Sequence, residues 1–143
     1  MPPSTFQRVF ALLVALACLG TLFAAARITP DAHGHGTHTQ LGLPPCGFVL
    51  AFSKPCITCG MTTAFAHAVR LDLSSALRVQ PMGLLLALLA PLVVWACLHT
   101  AVFGSRLAHM AADWSLRPRV LWTLACVLVA SWGYTLLAWP GAS

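Results

Sequence analysis

Cys46, Cys56, Cys59 and His67 are the residues whose types and spacing offer chemistry. Cys56-Ile57-Thr58-Cys59 ends in Gly60 and leads into Met61-Thr62-Thr63-Ala64, which reads as the start of a helix. Three readings stand. In the first, a disulfide fastens the short helix to the Cys46 segment, as an oxidising compartment permits, and leaves one of the three cysteines over. In the second, three thiolates and the His67 imidazole bind a structural zinc in a tetrahedron. In the third, Cys56 and Cys59 cycle between dithiol and disulfide. The positive end of the helix dipole and Lys54 would favour thiolate there.

A second stretch, His33-Gly34-His35-Gly36-Thr37-His38, puts three imidazoles on a glycine-rich backbone. Neutral imidazole is a common metal ligand, so the stretch could collect a divalent ion. A solvated linker whose histidines bind nothing is the competing reading, because ordering such a backbone costs entropy. Cys97, Cys126 and His99 fall inside apolar runs. The two cysteines would lie at similar depth in antiparallel spans, where a thiol usually serves as a small apolar group. No Ser/His/Asp set, phosphate loop or internal repeat appears, so no catalytic residue is assigned and an enzyme is not the favoured reading.

These groups must be positioned by membrane spans. Apolar residues make up 59% of the 143-residue chain and charged residues 8%. So few charges cannot solvate a globular surface, whereas lipid requires none. The basic excess, eight against three acids, is scattered near the ends of apolar runs. That distribution suits lipid head groups rather than nucleic acid. The first run, residues 9–26 between Arg8 and Arg27, is just long enough to span. Ala24-Ala25-Ala26 also resembles a signal-peptide cleavage site, so the run is either a retained anchor or a signal peptide.

Residues 27–45 form a His-, Gly- and Pro-rich linker without helical or strand period. Residues 46–79 carry the cysteine motif and an amphipathic helix over Met61–Leu71. Thr63, His67 and Arg70 share its polar face, and it is about 16 Å long, half a bilayer. Residues 82–103 are the clearest span, started by Pro81 and carrying Pro91 in mid-run. Residues 104–119 read as an amphipathic connector with Leu107, Met110, Ala111 and Trp114 at helical spacing. Residues 120–139 form the last span, with Trp122 and Trp139 near its ends. The tail Pro140–Ser143 is too short to fold. Arg8, Arg106, Arg117 and Arg119 fall in short segments on one side. Arg27, Lys54, Arg70 and Arg78 are spread over a longer stretch on the other. Their density places the amino terminus in the cytoplasm and the cysteine loop outside.

Cys46, Cys56, Cys59, Gly60, Met61, Thr62 and Ala64, followed by Asp72, Ala76 and Pro81, resemble the pattern of bacterial membrane proteins grouped as domain of unknown function 2752. Ile57 stands where that family usually has proline, Thr63 where it has arginine and Gln80 where it has asparagine. The resemblance implies a small multi-pass protein of the cytoplasmic membrane and no assigned activity. The expectation is thus an all-α integral membrane protein with three spans and a short interfacial or re-entrant helix after the Cys-x-x-Cys-Gly motif. It would be an accessory protein with a disulfide or zinc staple, facing the bilayer and a membrane-protein partner. The alternative is a thiol-redox or metal-handling protein using Cys56 and Cys59.

Overall fold

The structure, a computed structural model, describes residues 3–31 and 33–139, so Pro140–Ser143 lie outside the described residues. Three helices are long and apolar enough to cross a membrane: α1 (Thr5–Arg27), α5 (Pro81–Phe103) and α7 (Pro118–Ala138). Between them lie α2 (Gly47–Phe52), α3 (Met61–Ala68), α4 (Leu73–Val79) and α6 (Leu107–Ser115). The described chain has no strand. The expected all-α architecture, with a short helix after the Cys-x-x-Cys-Gly motif, is what the chain adopts.

The helix starts follow from local chemistry. Ser4 and Gln7 form a reciprocal capping box on α1, which satisfies two N–H groups that the helix cannot bond itself. Pro81 and Pro118 open α5 and α7 where a missing N–H costs nothing. α5 continues as helix through Pro91.

α1 and α5 run antiparallel, with Ala11, Ala15 and Cys97 forming a small-residue seam near one end. Such side chains let backbones approach closely, which is how helices gain contact in lipid. Cys97 therefore packs on α1, whereas Cys126 on α7 is exposed; the two do not share a buried contact. At the other end α3 packs on α5 and α4 through Ala64, Ala68, Ala76 and Ala87. A Cβ on Gly83 would lie 2.8 Å from the Ala64 Cβ, so this crossing requires glycine. Phe10, Leu13, Leu92, Val129 and Leu137 are exposed on the three long helices. In water they would form a large apolar patch; against lipid they are ordinary contact surface.

Two expectations about the middle of the chain are corrected. The amphipathic helix does not run to Leu71: α3 ends at Ala68, and Leu71 takes a left-handed φ of 63° with its side chain 84% exposed. Asp72 then caps α4 by accepting from the Ser75 N–H at 3.1 Å. Restarting the helix so close by is what an aspartate at N-cap allows. The 27–45 linker, in turn, contains a 3-10 helix, Thr37–Leu41. Thr37 is fully buried; its hydroxyl accepts from the Asp31 N–H and bonds the Thr63 hydroxyl at 2.7 Å. Gln40 brackets Thr29, donating to its carbonyl and accepting from its N–H. Thr63, expected on a polar face, is thus 1% exposed because the linker covers it.

Candidate functional site

The cysteine loop between α2 and α3 is built from two tight turns. The Cys59 N–H donates to the Cys56 carbonyl at 3.0 Å and the Met61 N–H to the Thr58 carbonyl at 3.1 Å. Gly60 closes the loop with φ of 83°. A Cβ there would meet both the Gly34 carbonyl and Val79 at 3.0 Å, so linker, loop and α4 converge on a position that only glycine fills without strain. Two side chains from the spans hold the loop from outside. Trp132 Nε1 of α7 donates to the Pro55 carbonyl at 3.2 Å, and the buried Gln80 amide, at the head of α5, donates to the Ile57 carbonyl at 3.1 Å. Cys56 is therefore carried between two fastened peptide groups. The Gln80 Oε1 has no protein partner among the described residues.

The loop brings the three cysteines together. Cys46 and Cys56 are close enough to share a hydrogen bond, and charge on either would act on Cys59. Their environments differ. Burial pushes the Cys56 thiol up, but hydrogen bonds from the Thr58 hydroxyl (3.5 Å), Cys46 and the Thr58 N–H outweigh it, and its pKa falls below the ordinary value. Cys59 is more deeply placed. Its burial, reinforced by repulsion from Cys56 and Cys46, pushes its pKa up to about 11. The loop thus holds one thiol that ionises more readily than an ordinary one beside one that resists ionisation.

His67, the fourth donor expected from sequence, has one ring nitrogen engaged. Its Nδ1 pairs with Asp72 Oδ2 at 3.0 Å. Bonds from the Ser75 side chain and N–H, from Ser74 and from His67 hold the Asp72 carboxyl down at about 2. Among the described residues no three His, Cys, Asp or Glu side chains close around one point as they stand.

Beside the loop lies a cavity of about 380 Å³, walled by the linker, α4 and the end of α7. Cys59, His67, His33, His35, Arg78 and Trp139 reach it from these separate elements. His33 Nδ1 pairs with Asp31 Oδ1 at 3.1 Å. The Asp31 carboxyl lies below its usual range, chiefly because it accepts the His33 N–H. His35 packs against Trp139 with ring centroids 4.3 Å apart and the rings tilted by 42°, and it bonds the His33 carbonyl through Nδ1. His38 turns away, its Nε2 bonding the Pro44 carbonyl. Of the three linker histidines, two therefore face the cavity and one does not. His99, the intramembrane candidate, bonds Ser105 at 2.8 Å near the end of α5.

Several residues that shape this end were not singled out from sequence. Arg70, placed on a polar helix face, donates instead to the carbonyls of Ala25, Ala26, Ile28 and Ala66. Trp132 read only as part of a span, and Gln80 only as a departure from the resembled pattern. The signal that singles out Gln80 is its coincidence with the asparagine position of the resembled pattern, since both side chains offer an amide.

Residues 46–95 match the family described as Protein of unknown function (DUF2752). The similarity covers about a third of the chain. The region begins at Cys46, takes in the thiol loop, α3 and α4, and ends in α5. The linker histidines and α7, which complete the cavity and help hold the loop, lie outside the matched residues, as does α1. No curated protein and no solved structure matches the chain.

Proposed function

We propose that this is a small accessory protein of the bacterial cytoplasmic membrane, with α1, α5 and α7 as its spans. Its thiol cluster would act as a staple that fixes the short helices at one end for a membrane-protein partner. The observation that carries this reading is the doubly fastened loop. Bonds from Trp132 on α7 and Gln80 at the head of α5 bracket Cys56. A crosslink from Cys56 to Cys46 or Cys59 would lock that bracket and with it the relation of two spans. Zinc held by Cys46, Cys56 and Cys59 would do the same, with His67, whose Nδ1 is held by Asp72, offering only Nε2. The arginine and lysine distribution supports a cytoplasmic amino terminus and an external loop. Retention of α1 belongs to the proposal, because α5 packs along it and Arg70 grips its end.

The test is thiol counting with metal analysis on protein purified from membranes, followed by mapping of any bridge. A disulfide or stoichiometric metal within Cys46, Cys56 and Cys59 supports the staple. Three free thiols without metal, together with unchanged stability in a Cys56→Ser variant, would overturn it. An impermeant thiol reagent that reaches Cys56 only after lysis would overturn the orientation.

A second reading, reversible dithiol–disulfide exchange by Cys56 and Cys59, draws on the unequal acidities of the pair. A more acidic, accessible thiol beside a less acidic one suits attack followed by resolution. Reversible oxidation confined to those two residues in a defined glutathione couple would favour this reading over the staple.

A further inference from the structure

The three histidines that face the cavity share one arrangement. His33 Nδ1 bonds the Asp31 carboxylate, His35 Nδ1 the His33 carbonyl and His67 Nδ1 the Asp72 carboxylate. An oxygen acceptor at Nδ1 keeps the proton there and leaves Nε2 as a bare lone pair, which is how metal-ligating histidines are usually oriented. No Nε2 bond from these three rings to the described residues is formed, whereas that of His38, outside the cavity, is taken by a carbonyl.

We infer that the cavity is a binding site for a divalent first-row transition metal ion, held by the Nε2 atoms of His33, His35 and His67. Imidazole donors suit zinc, copper, nickel and cobalt rather than calcium or magnesium. The fixed charges agree with a cation. Arg78 is the one arginine or lysine lining the cavity among the described residues, against the Asp31 carboxylate in its wall and the Asp72 carboxylate behind His67. An anion would meet a net negative surround.

The rings do not yet surround one point, so binding requires the linker to draw in, and His35, flanked by Gly34 and Gly36, has the backbone to do so. Ordering a glycine-rich linker around an ion is costly when it starts from coil. Here that cost is largely met by folding. Thr37 is buried against Thr63, and Gln40 ties the linker to Thr29, so the histidines start from an anchored loop. Cys59 also lines the cavity, but the ligands assigned are imidazoles: they join the linker, outside the family-matched residues, to His67 within them.

The test is Zn²⁺ titration of the full chain in detergent against a chromophoric chelator. The expected result is one zinc that persists in a Cys46→Ser/Cys56→Ser/Cys59→Ser variant. Affinity should fall at least tenfold in His67→Ala and in the linker variant His33→Ala/His35→Ala. Asp72→Asn should weaken binding by about tenfold, the usual cost of losing an outer-shell partner, while His38→Ala should leave it unchanged. The inference is overturned if the cysteine variant binds no zinc, or if it binds equally well with His33 and His35 replaced.

Discussion

Each end of the α1–α5 pair is closed by an arginine that hydrogen-bonds the last carbonyls of its neighbour, yet the two closures differ in what is built on them. At one end Arg8 of α1 reaches across to the carbonyls of Ala101 and Val102, at 2.7–2.9 Å, and all these bonds are exposed. At the other, Arg70 gathers the carbonyls of Ala25, Ala26 and Ile28 while bonding α3 at Ala66, partly out of water. Both exploit the same physics, since the last carbonyls of a helix have no partner within it and carry the negative end of its dipole. Arg8 joins two spans and nothing more. Arg70 joins a span to the short-helix assembly that carries the thiols and the cavity. The chemistry-bearing end is thus the one that required extra, non-spanning structure.

Breaking the short-helix end should therefore cost more than breaking the other. The largest effect is expected from Gly83→Leu, because even a Cβ there meets Ala64 at 2.8 Å. Overpacking of this kind costs about 3 kcal/mol, measured by chemical unfolding in detergent. Next, Arg70→Ala should destabilise the protein by about 2 kcal/mol and Arg8→Ala by about 1 kcal/mol, as charge-assisted bonds differing in exposure do. Equal effects of the two would erase the distinction between the ends. Arg70→Lys should not restore stability fully, since one ammonium cannot span the same carbonyls.

Acid should also act on the short-helix end first. The Asp72 carboxyl is held at about 2 in the fold against an ordinary 3.8. A depressed carboxyl contributes stability above its unfolded value and loses it as pH falls through its folded one. Unfolding transitions should therefore weaken between about pH 4 and 2, and Asp72→Asn should flatten that segment of the profile. The smallest effect separates two thiols within one loop. At pH 8, Cys59, with a pKa near 11, holds only about one part in a thousand as thiolate. Alkylation followed by mass spectrometry should show Cys56 modified much faster, and the Cys59 rate rising about tenfold per pH unit.

The spans were legible because lipid imposes a simple rule on composition. Expected runs 9–26, 82–103 and 120–139 correspond to Thr5–Arg27, Pro81–Phe103 and Pro118–Ala138, and the connector's periodic residues to α6. The thiol cluster was legible for a similar reason, since turn spacing keeps Cys56 and Cys59 together. What escaped were bonds between side chains and distant peptide carbonyls, as with Arg70, Trp132 and Gln80. Carbonyls occur at every residue and leave no mark in a sequence. The ordered linker escaped because its order comes from the contact of Thr37 with Thr63, residues far apart along the chain. Amphipathic periodicity then misassigned Thr63 as water-facing, because it registers polarity but not whether another polar group covers it.

The Arg70 grip also sets an order of events during biogenesis. The alanine run that resembles a peptidase site is the one whose carbonyls Arg70 occupies, and Ala25 is 4% exposed. A protease needs that backbone extended and accessible. Any cut there must therefore come before α3 docks, and the speed of docking sets how long the window stays open.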